Sequence, residues 1–289
     1  MSKVIDFSSG NLFDKVYEHL ALPESTLLGT RITKKMILEN NDLSSSDKKL
    51  VNDVIQSVEW LNTLKPETLN IPTYVTETVE YIEVAVLKVT LKADTTNRGK
   101  LKSIAKLFHT LIPYPVNLLI ELNGELAISL ADKRINQADS SKLVIEFSYN
   151  SQWFNVGSLK DNEKEFLNGF SLKNASSVNY YELYQDFIAK LISLETSYIL
   201  YSYLKNSCTN IERRSSQANK VDTFDEHLLT ALSNEEKTRL LKELASLEGE
   251  LSNIRNKLKK ELQMSEKMRL NVQARKVKHA ISAITSQFV

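Results

Sequence analysis

The run SNEEKTRLLKELASLEGELSNIRNKLKK (residues 233–260) continues through ELQMSEKMRLNVQARKVKHAISAITSQF (261–288) with no proline and with no glycine after Gly249. Alanine, leucine, glutamate, lysine, arginine and glutamine dominate it, the residue types that lose least on entering a helix. Leu240, Leu244, Leu247, Leu251, Ile254 and Leu258 alternate at spacings of four and three, the seam of a left-handed coiled coil. Helical throughout, the segment would be a rod about 80 Å long at roughly 1.5 Å per residue. From Asp222 to Glu250, just ahead of the run and through its first half, Asp225, Glu226, Glu235, Glu236, Glu243, Glu248 and Glu250 outnumber Lys237, Arg239 and Lys242. In its second half Arg255, Lys257, Lys259, Lys260, Lys267, Arg269, Arg275, Lys276 and Lys278 face only Glu261 and Glu266. Such polarity suits an antiparallel partner helix, a homodimer among the possibilities. It also suits a basic tip on DNA phosphates, or an ordinary solvated surface. The seam register places Glu261 and Ser265 inside, followed by Met268 and Val272. Val277, Ile281, Ile284 and Phe288 then resume the spacing in a shifted phase. A kink, a change of partner or docking of the tip onto another body would each account for this break.

Working back from the rod, residues 206–222 read as a linker between an α+β body (1–205) and a C-terminal helix of coiled-coil type (223–289). Residues 180–204 read as a long helix apolar over more than one face. The body reads as helices at 11–21, from Lys34, and at 47–61, the last with a stripe of Leu50, Val54, Ile55, Val58 and Leu61. A strand follows at 75–92, then a helix at 100–111 that Pro113 and Pro115 stop. Strands at 116–122 and 125–133 flank Asn123-Gly124, the strongest hairpin signal in the chain. A further strand is expected at 142–149 and a connecting loop at 166–178. The fold class is therefore α+β: a small mixed or antiparallel sheet of about four strands, covered on one side by helices.

A net charge of +1 with 42% apolar and 25% charged residues describes an ordinary globular chain rather than a globally basic nucleic-acid binder. The single cysteine, Cys208, excludes an internal disulfide and a cysteine-built zinc site. The N-terminus lacks the apolar core of a signal peptide and no run is long enough to span a membrane, so a cytosolic location is expected.

No phosphate-cradling glycine loop, zinc-protease motif or nucleophile elbow is present, and His19, His109, His227 and His279 have no ligand-like spacing. A restriction-type nuclease needs a carboxylate and an acid-x-Lys pair around a divalent metal. The nearest approach is Glu80, Glu83 or Glu121 with Lys88, or Glu121 with Asp132 and Lys133. The last two are adjacent and point to opposite faces of a strand. No catalytic residue, metal site or cofactor is assigned. Arg31, Lys34 and Lys35 form a basic corner at a helix start, where cations oppose the helix dipole and invite an anion.

Several stretches resemble the bacterial and phage family filed as domain of unknown function 4391: LPESTLLGTRITKK (22–35), VEWLNTLKPETLNI (58–71), VEYIEVAVLKV (79–89), IPYPVNLLIEL (112–122) and KLKKELQMSEKMRLN (257–271). In the last, Lys260, Glu261, Gln263, Lys267, Leu270 and Asn271 keep the family pattern, whereas Ser265 and Glu266 depart from its usual Asn and Arg. The resemblance implies a place beside DNA methyltransferases and helicases of type III-like restriction or phage-defence clusters. It thereby implies a non-catalytic accessory subunit engaging a helicase or methyltransferase. The candidate contacts are the leucine seam and Arg31, Lys34, Lys35, Lys257, Lys260, Gln263, Lys267, Arg269 and Asn271. A metal-dependent nuclease and a purely structural oligomer are the alternatives.

Overall fold

The computed structural model describes Phe7 and residues 10–39, 43–139, 143–212 and 232–288. Two compact units divide the chain, Met1–Leu191 and Ile192–Val289.

In the first unit, helix α1 (Leu12–His19) precedes strand β1 (Leu27–Ile32) and helices α2 (Lys34–Leu38) and α3 (Ser45–Asp53). Strand β2 (Ile55–Leu64), the short α4 (Pro66–Leu69), and strands β3 (Tyr74–Val75), β4 (Glu80–Tyr81) and β5 (Val84–Leu91) follow. Helix α5 (Leu101–Leu111), strands β6 (Val116–Leu122), β7 (Glu125–Ile135) and β8 (Leu143–Asn150), and helix α6 (Asp161–Gly169) lead to α7 (Tyr180–Glu212), which runs on into the second unit. The sheet has six strands in the order β1-β2-β5-β6-β7-β8, with β3 and β4 forming a separate pair. All neighbours are antiparallel except β5 and β6, which are parallel. The sheet is thus two three-stranded antiparallel ribbons joined along one parallel seam, with α5 as the crossover that a parallel pair requires.

Six strands replace the four expected, and the reason lies in β2. Its buried positions Ile55, Val58, Leu61 and Leu64 are three apart, which mimics a helix and gives 47–61 its helical reading. The pairing with β5 shifts register between Ile55 and Ser57 and again between Trp60 and Asn62. Each irregularity adds a residue. The first sets Ile55 and Val58, three apart, in the core on the α5 side. Beyond the second, where both faces are covered, Leu61, Asn62 and Leu64 are all buried. The helix ends instead at Asp53, with Ser44 capping its first turn. Strand β1, hidden in a stretch that reads as turns, is the exposed edge beside β2. The strand expected over 75–92 is interrupted between Tyr81 and Val84, and the loop expected at 166–178 begins within α6. At the β6–β7 turn, Asn123 and Gly124 both take positive φ (52° and 79°), the two-residue hairpin turn expected from their sequence.

Both faces of the sheet are covered, not one. Ala85, Leu87, Val89, Val116, Leu118 and Ile120 pack with Ile104, Ala105 and Phe108 of α5 on one side. Toward the other, Phe154, Phe166, Phe170 and Phe187 form a chain of ring contacts 4.8–5.8 Å apart that ties α6 and α7 together. The hydroxyl of Tyr184 accepts from the amide of Ala131 and donates to the carbonyl of Val116, fixing α7 to the sheet by satisfying buried backbone groups.

In the second unit, α7 continues through residues 206–212 of the segment expected to be a linker. The remainder of that segment, and Asp225, Glu226 and His227, lie outside the described residues. The single rod expected over 233–288 is two helices, α8 (Asn234–Lys260) and α9 (Met264–Thr285). A three-residue connection, Glu261 to Gln263, reverses the chain into a helical hairpin. The break has a physical cause. The apolar residues beyond it are out of phase with the seam of α8, and they reach that seam only by folding back.

A candidate helical-hairpin interface

The hairpin is built on its sequence from both ends. At the start of α8, Ser233 Oγ accepts from the amide of Glu236 (3.2 Å) and Glu236 Oε2 accepts from the amide of Ser233 (2.9 Å), a reciprocal cap. Glu235 and Glu236 lie in the first turn and Lys257, Lys259 and Lys260 in the last, each favoured by the helix dipole. Part of the charge polarity is therefore helix chemistry. At the reversal, Glu261 Oε1 accepts from the amides of Leu262 (2.8 Å) and Gln263 (2.9 Å), holding the tight connection with one carboxylate.

Leu251 and Ile254 of α8 pack with Leu270, Ala274 and Val277 of α9, and Leu247, Leu258 and Ile281 adjoin this cluster. Leu240 and Leu244 are buried as well. Four of the six expected seam residues thus belong to a core that α9 of the same chain covers. Met268 and Val272, which the register places inside, are instead exposed, because α9 turns its other side to α8. Gly249, within α8, has open space where a Cβ would stand. Gly249→Ala is expected to stabilise the hairpin by about 0.5–1 kcal/mol through helix propensity. A thermal or urea midpoint that fails to rise would contradict this.

Folding back also redistributes charge. Arg275, Lys276 and Lys278 of α9 lie along the stretch that runs antiparallel to the half of α8 carrying Glu243, Glu248 and Glu250, so charges of both signs share that part of the hairpin, without an ion pair between these residues. Toward the tip no such balance exists. Arg255, Lys257, Lys259, Lys260, Lys267 and Arg269 meet only Glu261 and Glu266. Of these acids, Glu261 is engaged with backbone amides. Glu266 pairs with Arg269, whose hydrogen bond holds its carboxyl below the usual range. Lys257, Lys259, Lys260 and Lys267 make no ion pair among the described residues. Lys257, Lys260, Gln263, Lys267, Arg269 and Asn271 therefore gather at one end of the hairpin.

Arg31, Lys34 and Lys35 belong to the first unit. Arg31 lies on β1, and the other two open α2, where Thr33 Oγ1 accepts from the amide of Met36. Lys35 reaches Glu39 at 3.7 Å. Partial burial, then the neighbouring Lys92, hold the Lys34 amine below its ordinary value.

The acidic residues weighed for metal chemistry have other engagements. Lys88 Nζ lies 2.9 Å from Glu121 and 3.7 Å from the centre of the Phe13 ring. Glu80 sits on β4, off the six-stranded sheet, and burial raises the Glu83 carboxyl. Asp132 accepts from Tyr149 and Gln185, while Lys133 turns to the opposite face as its sequence position implies. Among the described residues no three His, Cys, Asp or Glu side chains form a group able to hold a metal ion.

Two buried titratable groups do not stand out from sequence. Lys133 Nζ donates to the carbonyls of Ile112 (2.7 Å) and Tyr114, and burial pushes its amine down to about 7. His109 Nε2 lies 2.9 Å from Ser129 Oγ; burial and then the nearby Lys133 push the ring down to about 3. The one signal available is the position of Lys133 at the end of the buried run of β7, on the face where Ser129 also meets helix α5.

Residues 20–281 match the family described as Domain of unknown function (DUF4391), and the chain belongs to that family. No curated protein and no solved structure matches it. No helix among the described residues is long and apolar enough to cross a membrane.

Proposed function

We propose that this chain is a non-catalytic assembly subunit of a DNA-targeting restriction or phage-defence system, working in the cytoplasm beside a helicase or methyltransferase. In this reading the hairpin is the element offered to the assembly, and its helices extend coiled-coil packing to a partner. The tip rests against the phosphate backbone of DNA. The observation that carries the reading is the charge excess at that tip, six cations against two acids, with Glu261 held by backbone amides and Glu266 compensating Arg269 alone. Lysines on one end of a rigid hairpin suit phosphates without reading bases, so binding is expected to be independent of sequence and weakened by salt.

Electrophoretic mobility shifts of duplex DNA at low and high salt test this. The full chain is expected to shift DNA at low salt and release it as salt rises. Lys257→Glu combined with Lys260→Glu is expected to abolish most of the shift. It should also reduce the salt slope by about one for each phosphate that the protein no longer neutralises. No shift at low salt, or a shift indifferent to the charge reversal, would overturn the reading.

A further inference from the structure

The core between α8 and α9 leaves one line of apolar side chains unused. On α9 the residues packed with α8 are Leu270, Ala274, Val277 and Ile281. Met264, Met268 and Val272, spaced by four, lie on the opposite side of the same helix. They are 74, 65 and 56% exposed, and Leu262, in the reversal just before them, is 89% exposed. Three large apolar residues in a row along a helix edge, with a fourth in the turn just before them, are not a random scatter of surface hydrophobes. Lys267, Arg275 and Lys276 border the line, and none of the three makes an ion pair among the described residues.

We infer that this stripe docks an amphipathic helix of a partner protein, apolar on one side and acidic along its margins. Methionines at i and i+4 are unbranched and adaptable, the side chains suited to gripping a helix laid alongside. The bordering cations select the sign of the partner's edges. They also disfavour a second copy of this chain. An antiparallel pair of α9 helices centred on Met268 would set Lys267 of one copy beside Arg269 of the other, at tips already in positive excess. Nucleic acid is a poorer occupant of this line, which offers no aromatic ring for a base to stack on. The inference rests on the reading of the hairpin as a partner-binding element and shares Lys267 with the DNA reading, but it needs the methionines, which that reading does not.

The test uses the full chain and a fluorescein-labelled synthetic helix with leucines at i, i+4 and i+7 flanked by glutamates. Its counterpart carries lysines in place of the glutamates. Anisotropy is expected to show saturable binding of the acidic peptide and none of the basic one. Met264→Ser combined with Met268→Ser is expected to weaken binding about ten-fold or more, as for anchors at the centre of an interface. Both sites are exposed, so the fold should survive, as unchanged circular dichroism would verify. No binding of the acidic peptide overturns the inference, as does binding undiminished in the serine variant. Self-association in sedimentation that the serine variant abolishes also overturns it, in favour of a second copy. The Lys257→Glu, Lys260→Glu protein should lose DNA while keeping the peptide within a few-fold, so the two readings fail separately.

Discussion

Acidification is expected to destabilise the first unit through His109. The ring is buried against Ser129, and burial together with Lys133 keeps it neutral down to about pH 3. In the unfolded chain it takes up a proton near the ordinary value of 6.5. Between these limits the unfolded state binds one proton more than the folded state, so stability falls as pH falls. The contribution is complete above pH 6.5 and is lost progressively down to about 3. Its slope approaches 1.4 kcal/mol per pH unit, about the energy of one unit of pKa shift. Urea unfolding stepped from about pH 7 to about pH 4 checks this, with His109→Leu as the comparison. The variant is expected to lose less stability over that range by roughly this slope. Parallel pH profiles for the two proteins would show that another group is responsible.

Lys133→Met is expected to be the most damaging single substitution. Methionine fills the space of the aliphatic stem but brings no donor to the carbonyls of Ile112 and Tyr114. Both carbonyls precede prolines, Pro113 and Pro115, whose nitrogens have no hydrogen to give. The segment ending α5 is thus short of donors, and the lysine supplies them. Leaving two buried acceptors bare is expected to cost about 2–5 kcal/mol, read as a lowered urea midpoint. The pH signature is distinctive. Burial lowers the folded amine to about 7, while the unfolded chain holds its proton up to about 10.5. The unfolded state therefore binds the extra proton between pH 7 and 10.5, and stability rises with pH across that window. The Lys133→Met protein should lack this alkaline rise. A variant as stable as the parent, with the same rise, would show that the ammonium does not serve the proline segment.

The legible parts of the fold are those whose local chemistry and tertiary role agree. Asn123-Gly124 supplies two left-handed residues, and a hairpin forms around them. Pro113 and Pro115 stop α5 where the pattern stops. The missed strands fail for a different reason. In β2 the first irregularity and burial on both faces together produce a three-residue spacing, so Ile55, Val58 and Leu61 satisfy a helix on paper and a sheet in space. In β1, LLGTRI is exposed along its length, and pairing with β2 rather than its own composition makes it a strand.

At the candidate interface the leucines and the clustered cations are visible in the sequence, and so is the disturbed seam after Leu258. The reversal itself is not. Glu261, Leu262 and Gln263 are all competent helix residues, and only the competition between one long helix and a covered apolar core decides against continuity. That competition also exposes Met264, Met268 and Val272, which no periodicity taken from α8 could place outside. His109 and Lys133 are equally hidden, since neither has a partner near it in sequence.

The parallel pairing of β5 with β6 has a consequence for how the chain reaches this state. The β6-β7-β8 ribbon can zip up from strands that are close in sequence, with short loops to close and modest entropic penalties, whereas the β1-β2-β5 ribbon must first close the long connections from Ile32 to Ile55 and from Leu64 to Val84. Uniting the halves requires the whole crossover to be laid down before the central hydrogen bonds can form, and such remote contacts slow a folding reaction. The rate-limiting barrier should therefore sit in the pairing of β1, β2, β5 and β6 rather than in the β6-β7-β8 ribbon, and substitutions there should register as slower refolding more than as faster unfolding.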